Sequence, residues 1–339
     1  MLYDLTCDVP VCSSMSPLNR VIHFSLLCKE LALLMNTQYR CGTLALLGPT
    51  NAGKSSLLNA LLQEKISIVT PKVNTTRSQI TGIYTDDTVQ MIFLDTPGFQ
   101  THNGILQKAM TQSIEQSKLS ADVLILVLDI HLYIQRPTFL NNDLPYIREY
   151  LEHDTRPLVV VLNKVDAFSD KTKLLPFMED LHEMFPRAEI VPCSTFDSLS
   201  VATLRDILTK LLPCQEALFA KDQTSTQSIR FITQELIREQ LFIYLQQEVP
   251  YVTAVEIIQW EEDEKKAVIH ATILVDRESQ KAIVIGKGGK TIKMIGSDAR
   301  NNITALLGKR VYLDLWVKVQ PEWYDDVNML QELGLYGTY

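Results

Sequence analysis

Gly48, Gly53, Lys54 and Ser55 stand in the stretch GPTNAGKS (48–55) in the register G-x-x-x-x-G-K-[ST]. That spacing lets consecutive backbone N–H groups wrap a diphosphate. It also brings a lysine to the terminal phosphate oxygens and supplies a hydroxyl for Mg2+. Pro49, Thr50, Asn51 and Ala52 form the body of the loop. A second glycine-rich stretch, IVIGKGGKTI (283–292), has similar residue types in another register. Five positions before Gly289 stands Val284, a β-branched residue where the turn needs glycine. The second stretch is therefore no diphosphate loop, and its chemistry has to be sought elsewhere.

Three further short motifs follow the first in chain order. DTPGF (95–99) ends an apolar run; Asp95 can hold Mg2+ through water, and Gly98 leaves a backbone N–H open to a γ-phosphate, with Thr96, Pro97 and Phe99 around it. NKVD (163–166) selects the base. A carboxylate at Asp166 accepts two hydrogen bonds from guanine N1 and the 2-amino group, which adenine cannot offer. Asn163 braces this loop, Lys164 covers the ring with its stem, and Val165 lies between. CST (193–195) brings Ser194 and Thr195 to where a backbone N–H can meet guanine O6. NTTRS (74–78) has the place of a loop that closes on a γ-phosphate, with Thr76, 21 residues after Ser55, as second Mg2+ ligand and Thr75 beside it. These residues imply a site for GTP and GDP with Mg2+.

The elements that must position these residues alternate along the chain. Apolar runs at 42–48, 80–85, 89–95, 122–129, 157–164 and 189–194 read as strands, with a hairpin turn at Asp86–Asp87. Helical patterns lie between them at 54–64, 105–118, 138–152, 171–184 and 199–212. Strands apolar on both faces that alternate with helices make an α/β sheet covered on both sides, and ligands in such sheets sit at the strands' carboxyl ends. Each nucleotide motif that ends a strand falls at such an end. KDQTSTQS (221–228) reads as a linker. Beyond it come a helix (229–247), two alternating strands (252–260 and 266–275), a helix, GKGG, a longer helix and a last strand (310–319).

At 339 residues, with 46% hydrophobic and 21% charged content, the chain has room for two modest globular domains. Six scattered cysteines without a C-x-x-C pair read as reduced thiols and not as a zinc site. No apolar run reaches 18 residues, so a membrane-spanning helix is not expected. The net charge of −8 is unevenly spread: from 281 to 318 there are eight basic residues against two acidic, a local charge of +6. That patch fits a phosphate-bearing partner.

Taken together, GPTNAGKS, NTTRS, DTPGF, NKVD, EVPYVTAVEI (248–257) and IVIGKGGKTIKMIGSDARNNI (283–303) resemble the Era GTPases of bacteria over roughly residues 36–328. The resemblance implies a Ras-like P-loop GTPase domain followed by a smaller α+β type II KH domain. The implied boundaries are 39–215 for the GTPase domain, 216–228 for the linker, 229–320 for the KH domain and 321–339 for a C-terminal tail. It further implies GTP hydrolysis, binding to the 3′ end of 16S rRNA and assistance in maturing the small ribosomal subunit. In a KH domain, G-x-x-G joins two helices and lets an RNA backbone be clamped over about four nucleotides. Gly286, Lys287, Gly288 and Gly289 fit that loop, with Lys290, Lys293 and Arg300 on the following helix.

Phe99 stands where Ras-type GTPases carry a water-orienting glutamine, so other groups must organise hydrolysis: Lys54, Asn51, Thr75, Thr76 and the Gly98 N–H. An asparagine at the position of Asn51 resembles that of potassium-assisted GTPases, which makes K+ a further candidate cofactor. Three features depart from the family: the extra N-terminus, CST in place of the usual S-A, and Asp197–Ser198 where a glycine is common. The expected protein is a cytoplasmic monomer, with peripheral and not integral association at the inner face of the cell membrane. Residues 1–38 carry no motif; they are either a real extension or a start called too early, with Met35 favoured as the true start. Two rival readings are a different translation or tRNA-modification GTPase with the same TTR switch, and an RNA-binding chaperone whose GTP site is only a latch.

Overall fold

The computed structural model describes residues 39–99 and 104–336; the expectation for Met35 and the rest of 1–38 lies outside them. Six strands, β1 (Arg40–Leu47), β2 (Ile80–Thr85), β3 (Val89–Asp95), β4 (Val123–Asp129), β5 (Leu158–Asn163) and β6 (Glu189–Pro192), form one sheet in the order β2-β3-β1-β4-β5-β6. All pairs are parallel except the β2–β3 hairpin at the edge. The order reverses at β1, which runs from the middle of the sheet into GPTNAGKS.

Each apolar strand serves two cores because successive side chains point to opposite faces. Leu44, Leu46, Ile125, Val127 and Val161 pack with Leu57 and Leu61 of α1 (Lys54–Leu62) and Leu204 and Leu208 of α6 (Ser198–Leu211). Ala45, Leu47, Leu126, Leu128 and Val160 face the other way. They meet Ile114 of α2 (Ile105–Ser120), Ile147 of α4 (Pro137–Leu151) and Leu181 of α5 (Leu175–Met184). A short helix α3 (Ile130–Gln135), absent from the periodicity reading, precedes α4; the Asp129 carboxylate caps it by accepting from the Leu132 N–H. Polar 221–228 is tied down: the Ile83 N–H donates to Thr224 O, and Ser225 bridges Gly82, so the linker lies against the outer edge of β2.

The second unit begins with α7 (Ile229–Tyr244) and continues through β7 (Ala254–Glu262), β8 (Lys266–Val275), α8 (Glu278–Ile285), α9 (Lys290–Leu307) and β9 (Arg310–Val319). Its sheet runs β7-β8-β9, antiparallel and then parallel. This is the α+β arrangement the resemblance implied. Ile237 and Leu241 of α7 join Ile269, Ile273, Val284, Ile295 and Ile303 in its core. Much of the apolar side of α7 is thus used inside the protein, with Ile229 and Ile243 left exposed near its ends. Residues past 320 continue the packed structure. Trp323 is fully buried, and Leu330 of α10 (Val327–Glu332) and Leu333 pack with it against Leu106 and Met110 of α2. Among the described residues no helix is long and apolar enough to cross a membrane.

Candidate functional site

The loop between β1 and α1 owes its path to glycine. Gly48 (φ +141°) and Gly53 (φ +93°) adopt backbone that side chains rarely take; a Cβ on Gly53 would lie 2.2 Å from Asn163 Nδ2. That amide donates to Ala52 O at 2.9 Å, so the base-reading loop and the phosphate loop are fastened together. Lys54 is buried, and its Nζ donates to Gly48 O (3.0 Å) and Pro49 O (2.8 Å). Burial pushes its pKa down to about 8, with Asp95 acting in the opposite sense. A cation held this way is poised for phosphate oxygens.

The three residues expected around Mg2+ converge. Ser55 Oγ donates to Asp95 Oδ2 at 2.6 Å and lies 2.9 Å from Thr76 Oγ1. Asp95 is fully buried at the end of β3, and its Oδ1 has no hydrogen-bond partner among the described residues. Burial raises its pKa, against the hydrogen bonds from Ser55 and Ser67 and the charge of Lys54. A buried carboxylate oxygen without a donor, beside two hydroxyls, is the donor set a hard cation such as Mg2+ takes. The residues present fit the metal.

DTPGF is laid against the phosphate loop. The Phe99 N–H donates to Gly48 O (3.1 Å), and a Cβ on Gly98 would stand 2.5 Å from Thr50 Cα. The Phe99 ring turns away from the nucleotide pocket and meets Tyr146 and Tyr150 of α4 edge-on, at 5.6 and 5.3 Å between centroids. Thr96 Oγ1 donates to Leu46 O at 2.6 Å and anchors the turn beneath. Asn51 (φ +61°) and Thr75 line the same pocket as Lys54, Ser55, Thr76 and Gly98. The Thr75 hydroxyl is taken up within its own loop by Thr70 Oγ1 (2.7 Å) and Lys72 O (2.8 Å).

At the base end, Asp166 Oδ1 accepts from Ser194 Oγ at 2.7 Å, which aims the carboxylate. The Ser194 N–H is engaged by Ser200 Oγ (3.1 Å), so Thr195 supplies the next N–H in the loop. Asp197, at the place where a glycine is common, caps α6 through the Leu199 N–H. Lys164 has left-handed backbone, and its amine reaches Asp129 Oδ2 (2.5 Å) and Asn51 O (3.1 Å), which lays its stem across the gap. Asp129 is a site residue that motif reading missed, although its place at the carboxyl end of β4 was a usable signal. Ser67, which donates to Asp95 Oδ2 at 2.8 Å, had no motif to signal it between Ile66 and Ile68.

On the second unit, GKGG is a tight turn between α8 and α9. Gly286 (φ +73°) is required by the interior, since a Cβ there would meet Thr291 Oγ1 at 2.1 Å. Gly288 (φ +62°) and Gly289 (φ +72°) have nothing within 4 Å of a built Cβ. Their outer side is open to a ligand backbone. Lys287, Lys290, Lys293 and Arg300 are all exposed. On α9 the last three fall within about 80° of one another around the axis, at 3.6 residues per turn. The arrangement is a short open backbone with a one-sided row of cations, suited to phosphates of a single strand.

Comparison with known proteins agrees with both halves. Residues 43–164 match the family described as 50S ribosome-binding GTPase, and residues 248–324 match the KH domain family. The GTPase Era of Desulfovibrio desulfuricans is 51% identical over 304 residues, spanning 89% of this chain and 99% of that protein. GTPase Era of Neisseria meningitidis is 39% identical, over 88% and 95% of the two chains. Among solved structures, Era in complex with MgGDPNP and nucleotides 1506–1542 of 16S ribosomal RNA superposes with a TM-score of 0.83 at 34% identity. The match covers 88% of this chain and all of that one. An Aquifex aeolicus Era variant bound to GDP and AlF4− gives the same score and coverage. A guanine-reading P-loop domain and a GKGG-bearing KH domain, matched together and nearly end to end, place this chain in the Era family of GTPases.

Proposed function

We propose that this GTPase holds GTP in the pocket of Lys54, Ser55, Thr76 and Asp95, hydrolyses it there, and grips the 3′ end of 16S rRNA through its GKGG turn. In this reading it acts as a monomer in the maturation of the small ribosomal subunit. The observation that carries the catalytic part is the convergence of Ser55 Oγ, Thr76 Oγ1 and the half-satisfied Asp95 carboxylate. A Mg2+ in that donor set supplies charge neutralisation to the β- and γ-phosphate oxygens. Lys54 adds a second cation from the loop side, and Asp166 with Asn163 and Lys164 orients the base. Support for the RNA part is the open turn at Gly288–Gly289 and the Era structure that contains both MgGDPNP and rRNA.

The test uses the full chain with Lys287→Asp and Gly288→Asp together. Two carboxylates then stand where RNA phosphates must approach. Affinity for a 16S rRNA 3′-end oligonucleotide should collapse, while multiple-turnover phosphate release without RNA continues at the wild-type rate. Retained RNA affinity in a folded double variant refutes the RNA site. Absence of multiple turnover in the wild type would instead favour a chaperone with GTP as a latch.

Hydrolysis is also helped by a positive charge beside the γ-phosphate oxygens, and the Phe99 ring, packed on Tyr146 and Tyr150, cannot orient a water by hydrogen bonding. Asn51, exposed in the phosphate loop, and Thr75 share the pocket and are the residues from which a K+ would be held. A supplied cation such as an arginine finger accelerates related reactions by roughly 10³–10⁵. Turnover should therefore be higher in K+ than in Na+ at matched ionic strength. Equal rates remove K+ from the mechanism.

A further inference from the structure

Thr76 is bracketed by two arginines that tie its segment to the KH domain. On one side Arg77, only 4% exposed, donates from Nη1 to Thr253 O (2.7 Å) and from Nη2 to Tyr251 O (2.8 Å) and Pro250 O (3.1 Å). Its guanidinium sits 5.8 Å from the ring centroids of both Phe242 and Trp323. On the other side, Thr75 O accepts from Arg238 Nη2 at 2.5 Å, and Arg238 is itself paired with Glu235 on α7. Further back in the loop, the Val69 N–H donates to Glu239 Oε1 (3.1 Å), and Lys72 Nζ donates to Leu245 O. Together these contacts fix the path of the segment that brings the Thr76 hydroxyl to Ser55.

We propose that Arg77 is a positioning residue for GTP hydrolysis, holding the Thr76 hydroxyl in the metal site from anchor points on the KH domain. Three carbonyl acceptors match the rigid fork of a guanidinium, and a lysine ammonium cannot satisfy all three in the same geometry. Burial sharpens the demand, because a carbonyl left without a donor in a dry interface is costly. Thr76 and Arg77 share a peptide unit, with Cα atoms about 3.8 Å apart. A shift of the anchor is therefore passed to the hydroxyl with little attenuation. Misplacement of a catalytic group by about 1 Å can cost roughly 10² in rate. The inference rests on Thr76 being the Mg2+ ligand, as read above, and adds where its position is set. It also makes the KH domain part of the hydrolytic site, since the acceptors at 250–253 belong to it.

The experiment compares wild type, Thr76→Ala, Arg77→Lys and Arg77→Gln as full chains, with folding checked by circular dichroism. Four quantities are read: kcat, KM for GTP, the Mg2+ concentration for half-maximal turnover, and the affinity ratio of GDPNP to GDP. Arg77→Lys should lower kcat about tenfold, and Arg77→Gln should do so by up to about a hundredfold. Both should raise the Mg2+ requirement and weaken GDPNP while leaving GDP affinity in place. An interdomain bolt with no link to the metal would lower the thermal midpoint and move none of the four. That outcome for a folded Arg77→Lys protein overturns the proposal. If Thr76→Ala also leaves the Mg2+ requirement unchanged, the metal-ligand reading falls too, which separates the two failures.

Discussion

Lys54 illustrates how a buried charge can be kept ready for a ligand. Its amine is removed from water and donates to two carbonyl oxygens of its own loop, and burial lowers its pKa from 10.5 to about 8 against the charge of Asp95. Because the folded value lies below the unfolded one, the folded apoprotein carries fewer protons than the unfolded chain between these two values. This group's contribution to stability therefore rises as pH climbs from about 8 toward 10.5. Phosphate binding favours the charged amine and must draw the proton back. GDP binding at pH 9, where the diphosphate is fully ionised, should take up about one proton, and much less at pH 7.5. Titration calorimetry in buffers of different ionisation enthalpy measures this. Absence of uptake at pH 9 would show that the Lys54 amine is already charged before the ligand arrives.

At the scale of elements, the glycine turn between α8 and α9 separates two roles that the letters GKGG do not. Gly286→Ala forces a methyl onto Thr291 Oγ1 and should disrupt the junction of the two helices. Gly288→Ala meets no atom and should cost only the left-handed backbone strain, about 1–2 kcal/mol. Chemical denaturation of the two variants should therefore rank Gly286→Ala as clearly the less stable; equal midpoints contradict this. The strands were legible from their patterning: β2 and β3 as apolar runs and β8 and β9 as alternating ones have the expected bounds. Helix α3 was not, since six residues hold too few turns to show a period, and its start depends on the Asp129 cap. Asp129 was signalled only by its place at the end of β4; its pairing with Lys164 was not, for a contact across 35 residues leaves no local pattern. Arg77 was visible as a letter of NTTRS, but its acceptors are main-chain carbonyls more than 170 positions away.

Across the whole molecule, the nucleotide and RNA sites are linked through packed structure and not through a loose tether. The Thr76 segment meets α7, and α7 packs against α9, with the Tyr244 hydroxyl bound to Asp298. Beyond β9, Trp323 and Leu330 lie on Leu106 and Met110 of α2, and the Ile105 N–H donates to Asp325, so the start of α2 is also in contact with residues 323–330. A change of nucleotide that moves either segment must therefore bias the KH domain, and coupling of this kind is reciprocal in free energy. The decisive measurement is the affinity of the full chain for a 16S rRNA 3′-end oligonucleotide, taken at fixed salt with Mg2+ and either GDPNP or GDP. RNA binding should be tighter with GDPNP by at least about fivefold, with an equal RNA-induced gain in the preference for GDPNP over GDP. Identical RNA affinities in the two nucleotide states would contradict it.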